Sequence, residues 1–337
     1  MRKLFLIVSI NISFFACQKM QEKRVNITGA GSTFVYPLIS KWAYEYYNNT
    51  KIQVNYQSIG SGGGIKQIIE RTVDFGASDM PLEKSRLDSA NLYQFPVIVG
   101  GISIVINLPN IKSEELKLDS ITLCYIFLGK IQKWNDKRIK DLNPDLNLPD
   151  IAITPVRRSD GSGTTFLFTN YLSKVCPEWK EKVGYGTSVN WPVGIGAKGN
   201  EGVANYVKQN SGTIGYVEYA YAKENKLIYA LVKNKAGKFL PPKLETFKEA
   251  TKYANWKKEE HFYEVLTNED GENTYPITGA VFILLPREKK DKNKHIVEFF
   301  NWTFQKGDSI AISLDYVPLS EEAKKIVIEY WNETILK

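Results

Sequence analysis

The chain has 337 residues, 43% apolar and 24% charged, with a formal net charge of +7. That length implies two domains or one large two-lobed body with ample material for a core, at the composition of a soluble globular protein. Its lysines fall on expected helix faces and in polar runs such as 174–182 and 287–294, and there is no arginine-rich arm, zinc-finger spacing or RNA-binding aromatic motif, so a nucleic-acid partner is excluded.

Arg2 and Lys3 precede an apolar run from Leu4 to Phe15 that is too short for a membrane span and is flanked as a signal peptide is. Ala16 then stands before Cys17, the pattern of a bacterial lipoprotein cleavage site, although Phe14 and Phe15 replace the more usual leucine and small residue. Residues 1–16 therefore read as a signal peptide and residues 17–26 as a tether lipidated at Cys17. The expected location is periplasmic, or the extracytoplasmic face of a bacterial membrane, with a lipid anchor as the only membrane contact. Cys124 and Cys176 remain in the body of the chain. A disulfide between them is open outside the cytoplasm. Cys124 lies in an apolar helical pattern and Cys176 precedes a proline, and two separate half-buried thiols are expected. With His261 and His295 as the only histidines and no cysteine cluster, no metal site and no cofactor are expected.

The first strand, at Asn26–Thr28, breaks at the glycine-rich Gly29-Ala30-Gly31-Ser32-Thr33-Phe34. Pro37 in a first turn and the spacing of Leu38, Ile39, Trp42, Ala43, Tyr46 and Tyr47 predict a helix, capped by Ser32 or Thr33. Alternation over 52–56 predicts a second strand. It runs into Gly60-Ser61-Gly62-Gly63-Gly64, after which Ile65, Ile68 and Ile69 mark another helix. Four glycines in five residues let a backbone approach a ligand closely. No glycine-lysine-serine/threonine follows at nucleotide-loop spacing, and the long βαβ unit and ribose-binding acid of a dinucleotide site are missing.

Residues 75–78 read as a short buried strand ending at Asp79, with Pro81 preventing extension. Asp79 either shapes that turn or faces a ligand. A carboxylate cannot donate a hydrogen bond, so it repels a fully ionised oxyanion and accepts the hydroxyl of a protonated one. One acid among many N–H donors would select hydrogenphosphate over sulfate. Residues 95–107 form a long apolar strand, or two abutting ones, around Gly100-Gly101. Residues 113–136 carry two amphipathic helical patterns around Gly129.

A β-branched run at 151–156 then enters Arg157-Arg158-Ser159-Asp160-Gly161-Ser162-Gly163-Thr164-Thr165-Phe166, and a helical pattern leaves it. This third strand–glycine–helix start offers Ser162, Gly163 and Thr164 at a helix N-terminus, where unpaired N–H groups and the dipole favour an anion. Arg158 adds a planar cation, and Asp160 can hold it in place. A plain capped helix after a tight turn is the competing reading of each start. Residues 191–202 form another glycine-dense loop, in which Gly196 and Gly199 either line a cleft or make turns within a lobe. A strand at 213–217 ends among Tyr216, Tyr219 and Tyr221, read as packing, and 233–258 reads as a surface excursion. The apolar run 281–285 mirrors the crossing at 102–107. Two such strands suit a two-lobed α/β protein: lobe I is 27–105 with 281–337, including amphipathic helices at 296–311 and 320–335, and lobe II is the inserted 106–280.

In order and spacing, Gly60–Gly64, Asp74-Phe75-Gly76-Ala77-Ser78-Asp79, Leu128-Gly129-Lys130-Ile131, Asp160-Gly161-Ser162-Gly163-Thr164 and Ile214-Gly215-Tyr216-Val217-Glu218-Tyr219-Ala220 resemble the substrate-binding protein of the bacterial high-affinity phosphate ABC importer. The resemblance runs from Thr28 to Trp331. It implies the type II periplasmic binding protein fold, two α/β lobes joined by two hinge strands, with phosphate held in the interlobe cleft. It implies N–H groups from Thr33 and Phe34 with the Thr33 hydroxyl, hydroxyl and N–H from Ser61, and a proton-accepting Asp79. Arg158 supplies the charged contact, steadied by Asp160 outside it, and Ser162, Gly163 and Thr164 the third helix start. Departures from the family pattern are Val35-Tyr36 in place of a proline-rich pair and Gly62 in place of a serine. The implied partners are inorganic phosphate and the phosphate ABC permease, with the receptor a monomer and no catalytic residue. The alternatives are a receptor for another oxyanion and a phosphate-ester hydrolase using Ser162 or Thr164, which lacks an evident base.

Overall fold

The computed structural model describes residues 25–337; the leader and the Cys17 anchor expected from the sequence lie outside the described residues. β1 (Asn26–Gly31) and β2 (Gln53–Ser58) run parallel, joined by the helix Tyr36–Thr50. The helix Ser61–Ile69 returns the chain to β3 (Phe75–Ser78), parallel to β1 on its other side. β4 (Leu92–Ile106) is one continuous strand. After β5 (Lys117–Leu118) come β6 (Thr154–Arg158), β7 (Ile195–Ala197) and β8 (Thr213–Glu218), with β6 parallel to both of the others. β9 (Ile228–Tyr229), β10 (Leu231–Lys233) and β11 (Phe239–Leu240) are short, and β12 (Thr278–Pro286) is buried throughout.

The main sheet runs β2-β1-β3-β12-β4-β8-β6-β7. β4 serves both of its halves: Leu92–Gly101 pairs antiparallel with β12, and Ile102–Ile106 pairs antiparallel with β8. Apart from Tyr93 the whole of β4 is buried, as a strand covered on both faces requires. Its glycine pair has a steric cause. A Cβ on Gly101 would lie 2.0 Å from the Phe247 ring and one on Gly100 would lie 2.7 Å from the Phe34 ring. Two aromatic side chains thus seat directly on the strand backbone where it passes between the halves.

The chain's end packs on the first half. In the helix Lys290–Lys306, Phe300 meets Phe75 and Phe95 edge-on, and Phe299 meets Tyr46. The amphipathic spacing predicted this return, but Gly307 breaks the run, so Asp308–Ser313 forms a separate helix. Among the described residues no helix is long and apolar enough to cross a membrane.

Three expectations are corrected. Cys124 and Cys176 are not separate thiols but a disulfide, Cα–Cα 6.5 Å, linking the helix Ser120–Phe127 to the end of the helix Gly163–Val175. Packing of two helices 52 residues apart brings them together, which neither local pattern contains. The second helical pattern beyond Gly129 is not a helix at 131–136. Ile131 and Trp134 are buried from an irregular segment, with Trp134 Nε1 donating to Gly212 O at 3.0 Å, and a short helix follows only at Lys137–Leu142. The stretch 233–258 is not merely a surface excursion, since its helix Leu244–Thr251 carries Phe247 into the core.

Closing a loop of that length restricts the unfolded chain, so the paired substitution Cys124→Ser with Cys176→Ser is expected to cost about 2–4 kcal/mol in urea unfolding. Two reactive thiols at these positions in the denatured, unreduced protein would contradict the disulfide.

Candidate functional site

The loops leaving the carboxyl ends of β1, β2, β3, β6, β7 and β8 meet, the edge at which open α/β sheets present ligands. From the first half come Ser32, Thr33 and Phe34 after β1, Ser61 after β2 and Asp79 after β3. Neither Ser32 nor Thr33 caps the following helix, which starts at Tyr36 behind Val35 with no side-chain cap. Ser32 Oγ instead donates to Asp79 Oδ1 and accepts from the Phe34 N–H at 3.0 Å. The Phe34 N–H expected to face a ligand is thus held by Ser32. Ser61 is the first residue of its helix, and its hydroxyl accepts from the Asp79 N–H at 3.2 Å.

From the second half, β6 ends at the fully buried Arg158 side chain. Nε donates to Asp160 Oδ1 at 2.8 Å and Nη2 to Oδ2 at 2.5 Å, a bidentate clamp. Gly199 N–H also donates to Asp160 Oδ1, at 3.0 Å. Ser162 is the N-cap of the helix Gly163–Val175, accepting from the Thr165 N–H at 3.0 Å, while its own N–H goes to Thr187 O. Among the described residues the backbone N–H groups of Thr33, Ser61, Gly163 and Thr164 have no protein acceptor. All four therefore stand as donors available to an anion.

The two groups form one site. The Gly62 N–H donates to Gly161 O at 2.9 Å, and a Cβ on Gly163 would lie 2.5 Å from both Asp79 Oδ2 and Ser61 Oγ. Gly60, at φ +85°, faces Asp160 so closely that a Cβ would fall 2.4 Å from its Oδ2. The glycine at 62, where the family pattern has a serine, lets the backbone touch Gly161. Asn200 spans the two halves, its Nδ2 2.7 Å from Thr33 Oγ1 and 3.2 Å from Thr164 Oγ1. Tyr221 reaches across as well, donating to Thr33 O at 2.6 Å.

Burial raises the Asp79 carboxyl to about 7, although hydrogen bonds from Ser32 and Ser61 and the Arg158 charge oppose the shift. Burial also acts on Asp160, but there the Arg158 hydrogen bonds and charge and the Gly199 N–H prevail and hold it below the usual range. The two acids are thus set apart in role: Asp160 stays ionised against arginine, and Asp79 sits where a proton is easily carried. Glu218 is fully buried, which pushes its carboxyl well above the ordinary value.

Every residue singled out from the sequence in this region, Thr33, Phe34, Ser61, Asp79, Arg158, Asp160, Ser162, Gly163 and Thr164, lies in this cluster. Sequence reasoning missed Ser32 as the partner of Asp79. It also missed Tyr216, whose hydroxyl accepts from the Arg158 N–H at 3.1 Å and lies 2.7 Å from Thr165 Oγ1, and Asn200. The glycines around Asn200 were the available signal, since Gly199 takes φ +72° to present its N–H to Asp160.

The chain matches the family model described as PBP superfamily domain over residues 18–306. The phosphate-binding protein PstS of Pasteurella multocida is 50% identical over 337 residues, 99% of this chain and 97% of that protein. The protein of the same name from Xylella fastidiosa (strain Temecula1) is 52% identical over 313 residues, 92% of this chain and 86% of that one. Among solved structures, the high-affinity periplasmic phosphate-binding protein PfluDING, with phosphate bound, superposes with a TM-score of 0.74 at 20% identity, covering 90% of this chain and 93% of its own. A phosphate-binding protein from Stenotrophomonas maltophilia gives a TM-score of 0.66 at 19% identity over the same shares. At such identities these likenesses speak to the fold, which is the expected type II periplasmic binding protein fold.

A buried carboxyl that binds its proton more tightly folded than unfolded loses stability for the protein as pH rises through the interval between the two values. For Asp79 that interval runs from 3.8 to about 7. In phosphate-free buffer, Asp79→Asn is expected to gain on the wild type by up to about 4 kcal/mol in urea unfolding between pH 4 and pH 8. Parallel pH profiles for the two proteins would show that Asp79 does not carry its proton into the folded state.

Proposed function

Because the chain belongs to the phosphate-binding protein family of the periplasmic-binding superfamily, we propose that it is a receptor that binds inorganic phosphate as monohydrogenphosphate and delivers it to an ABC-type import permease. The observation that carries the reading is the pairing of one proton-accepting acid, Asp79, with a surround of donors: Arg158, the free N–H groups of Thr33, Ser61, Gly163 and Thr164, and the site hydroxyls. A tetrahedral anion with one proton matches that inventory. Sulfate has no proton for Asp79 and leaves an acid facing an anion.

The binding set is Thr33, Phe34, Ser61, Asp79, Arg158, Ser162, Gly163 and Thr164, with Asp160 holding Arg158. Phe34 joins it once its N–H exchanges Ser32 Oγ for the ligand. Lobe I comprises 27–105 and 281–337 and lobe II 106–280, and closure of one on the other distinguishes loaded from empty receptor for the permease. The receptor works as a monomer, held at the extracytoplasmic face of a bacterial membrane by a lipid on Cys17. Binding rather than hydrolysis is favoured by the engagement of Ser162 Oγ as a helix cap. Neither histidine is hydrogen-bonded to Ser162 or Thr164: His295 lies beside Glu298, and the His261 carbonyl accepts from Gln94 Nε2.

Calorimetric titration at pH 8 is expected to give micromolar or tighter phosphate binding, at or beyond about −8 kcal/mol, with sulfate at least about 100-fold weaker. Asp79→Asn narrows that gap. Millimolar phosphate binding, equal sulfate binding, or phosphate-ester turnover lost in Ser162→Ala would each reject the reading.

A further inference from the structure

Asn200 is fully buried, one residue into the helix Gly199–Gln209 that follows β7. Its amide can face only one way. Oδ1 lies 3.0 Å from the Glu218 backbone nitrogen, a group that can only donate, so the oxygen is at that end. Nδ2 is then the end that meets the two threonines, donating to Thr33 Oγ1 from one half and Thr164 Oγ1 from the other. Each hydroxyl receives a second donor. The Asn200 N–H approaches Thr33 Oγ1 at 3.3 Å, and Arg158 Nη1 approaches Thr164 Oγ1 at 3.4 Å.

A hydroxyl oxygen has two lone pairs and one proton. At both threonines the lone pairs are met by protein donors, and the proton is all that remains to give. Among the described residues neither proton has an acceptor. Hydroxyls ordinarily rotate to suit the partner, accepting from one ligand and donating to another. Here one amide removes that freedom from two of them at once.

From this inventory we infer that Asn200 is a specificity-determining positioning residue, which fixes Thr33 and Thr164 as obligate donors so that the ligand oxygens they face must be unprotonated. The inference rests on the phosphate-receptor reading and adds a second element of selection to it. Asp79 provides a place for one proton; it does not by itself stop a hydroxyl elsewhere from turning round to accommodate another. With Asn200 in place, an anion carrying a proton at either of those positions meets O–H against O–H. The site thereby reads where the ligand's proton is, and not only whether there is one.

The ionisable groups around these hydroxyls are Asp79 and Tyr316 from the first half and Arg158, Asp160, Glu201, Glu218 and Tyr221 from the second. None is altered by the variants below, so differences between variants isolate the hydroxyls. The probe is inorganic phosphate, titrated calorimetrically into the full chain at pH 8 and pH 5.5. Asn200→Ala is expected to weaken binding at pH 8 by about 10-fold or more, the usual consequence of losing a buried donor to polar partners. In a Thr33→Val, Thr164→Val background the same substitution changes affinity by less than about 3-fold, because no hydroxyl remains to be oriented. The loss of affinity from pH 8 to pH 5.5 is also smaller in Asn200→Ala than in the wild type, since freed hydroxyls can accept from the more protonated ligand.

An equal cost in both backgrounds, or a pH profile parallel to the wild type's, overturns the inference and leaves Asn200 a strut between helix and strand. If Asn200→Ala does not fold, the wild type carries the test through a neutron structure of the perdeuterated phosphate complex. Deuterons of Thr33 and Thr164 directed at phosphate uphold the inference, and either one directed at Asn200 overturns it. A wild type that binds no phosphate removes the functional reading and the inference together, whereas the other negative results remove the inference alone.

Discussion

The rest of the site depends on the clamp between Arg158 and Asp160. A guanidinium taken fully out of water costs several kcal/mol unless its charge is met nearby. Asp160 meets it with both oxygens, and Gly199 ties down one of those oxygens in turn. The clamp fixes which part of the arginine remains to act: Nη1, on the side of Thr164, and the second N–H of Nη2. It also cancels most of the local positive charge. An anion here is therefore held mainly by N–H and O–H dipoles, a weaker long-range attraction but a stricter geometric demand, because each dipole acts only along its own direction. The glycines follow from the same clamp. Gly60 has to be glycine so that Asp160 can lie against it across the contact between halves.

The second constraint is proton bookkeeping among buried acids. Tyr316 OH lies 2.6 Å from Phe34 O and 3.0 Å from Glu218 Oε2. A phenol has one proton, and a backbone carbonyl can only accept, so the shorter contact takes it. Glu218 Oε2 takes its hydrogen bond from the Ala220 N–H at 2.9 Å, and burial pushes the acid well above its ordinary value. Its second oxygen, Oε1, is buried without a partner, which a neutral acid bears far better than a carboxylate. A charge on Asp79 raises Glu218 further. Thus burial raises both Asp79 and Glu218, beside the three-residue turn Ser32–Phe34, while Asp160, against the arginine, is held below the usual range.

How much of this was legible depended on the range of each interaction. Strand runs and glycine-rich helix starts are local signals, and they led to Ser61, Asp79, Arg158 and Ser162 because each sits just past a strand's carboxyl end. Ser32 was singled out by the capping preference of serine, but its hydroxyl gives its proton to an aspartate 47 residues away, which no local pattern records. Around Gly129 the apolar spacing was real, yet Ile131 and Trp134 satisfy it from an irregular segment because the indole finds Gly212 O. Asn200 and the disulfide were out of reach for the same reason. Their partners are chosen by the packing of elements that are distant in sequence, and no periodicity records that choice.

The contacts between halves share their atoms with the site. Around the site they are polar and small: the Gly62–Gly161 backbone bond, Tyr221 with Thr33 O, Asn200 with Thr33, Ser58 with Glu201, and the Lys223–Asp315 pair at the rim. The apolar contacts, Phe262 on Tyr330, Trp256 on Phe282 and Phe247 on Gly101, lie elsewhere. A rim ion pair with half-exposed lysine contributes little after screening. Apolar packing at the site itself would hold the halves together there regardless of what lay between them, since burial of apolar surface is indifferent to the guest. Directional contacts of this kind are favourable only at one separation, and several of them run through Thr33, Asn200 and Gly161, beside the very groups that would meet an anion. Contact between the halves and recognition of an anion therefore draw on the same atoms. A guest that misplaces Thr33 or Thr164 by a few tenths of an ångström loses its own hydrogen bonds and weakens the contacts holding the halves together, so misfit is penalised twice.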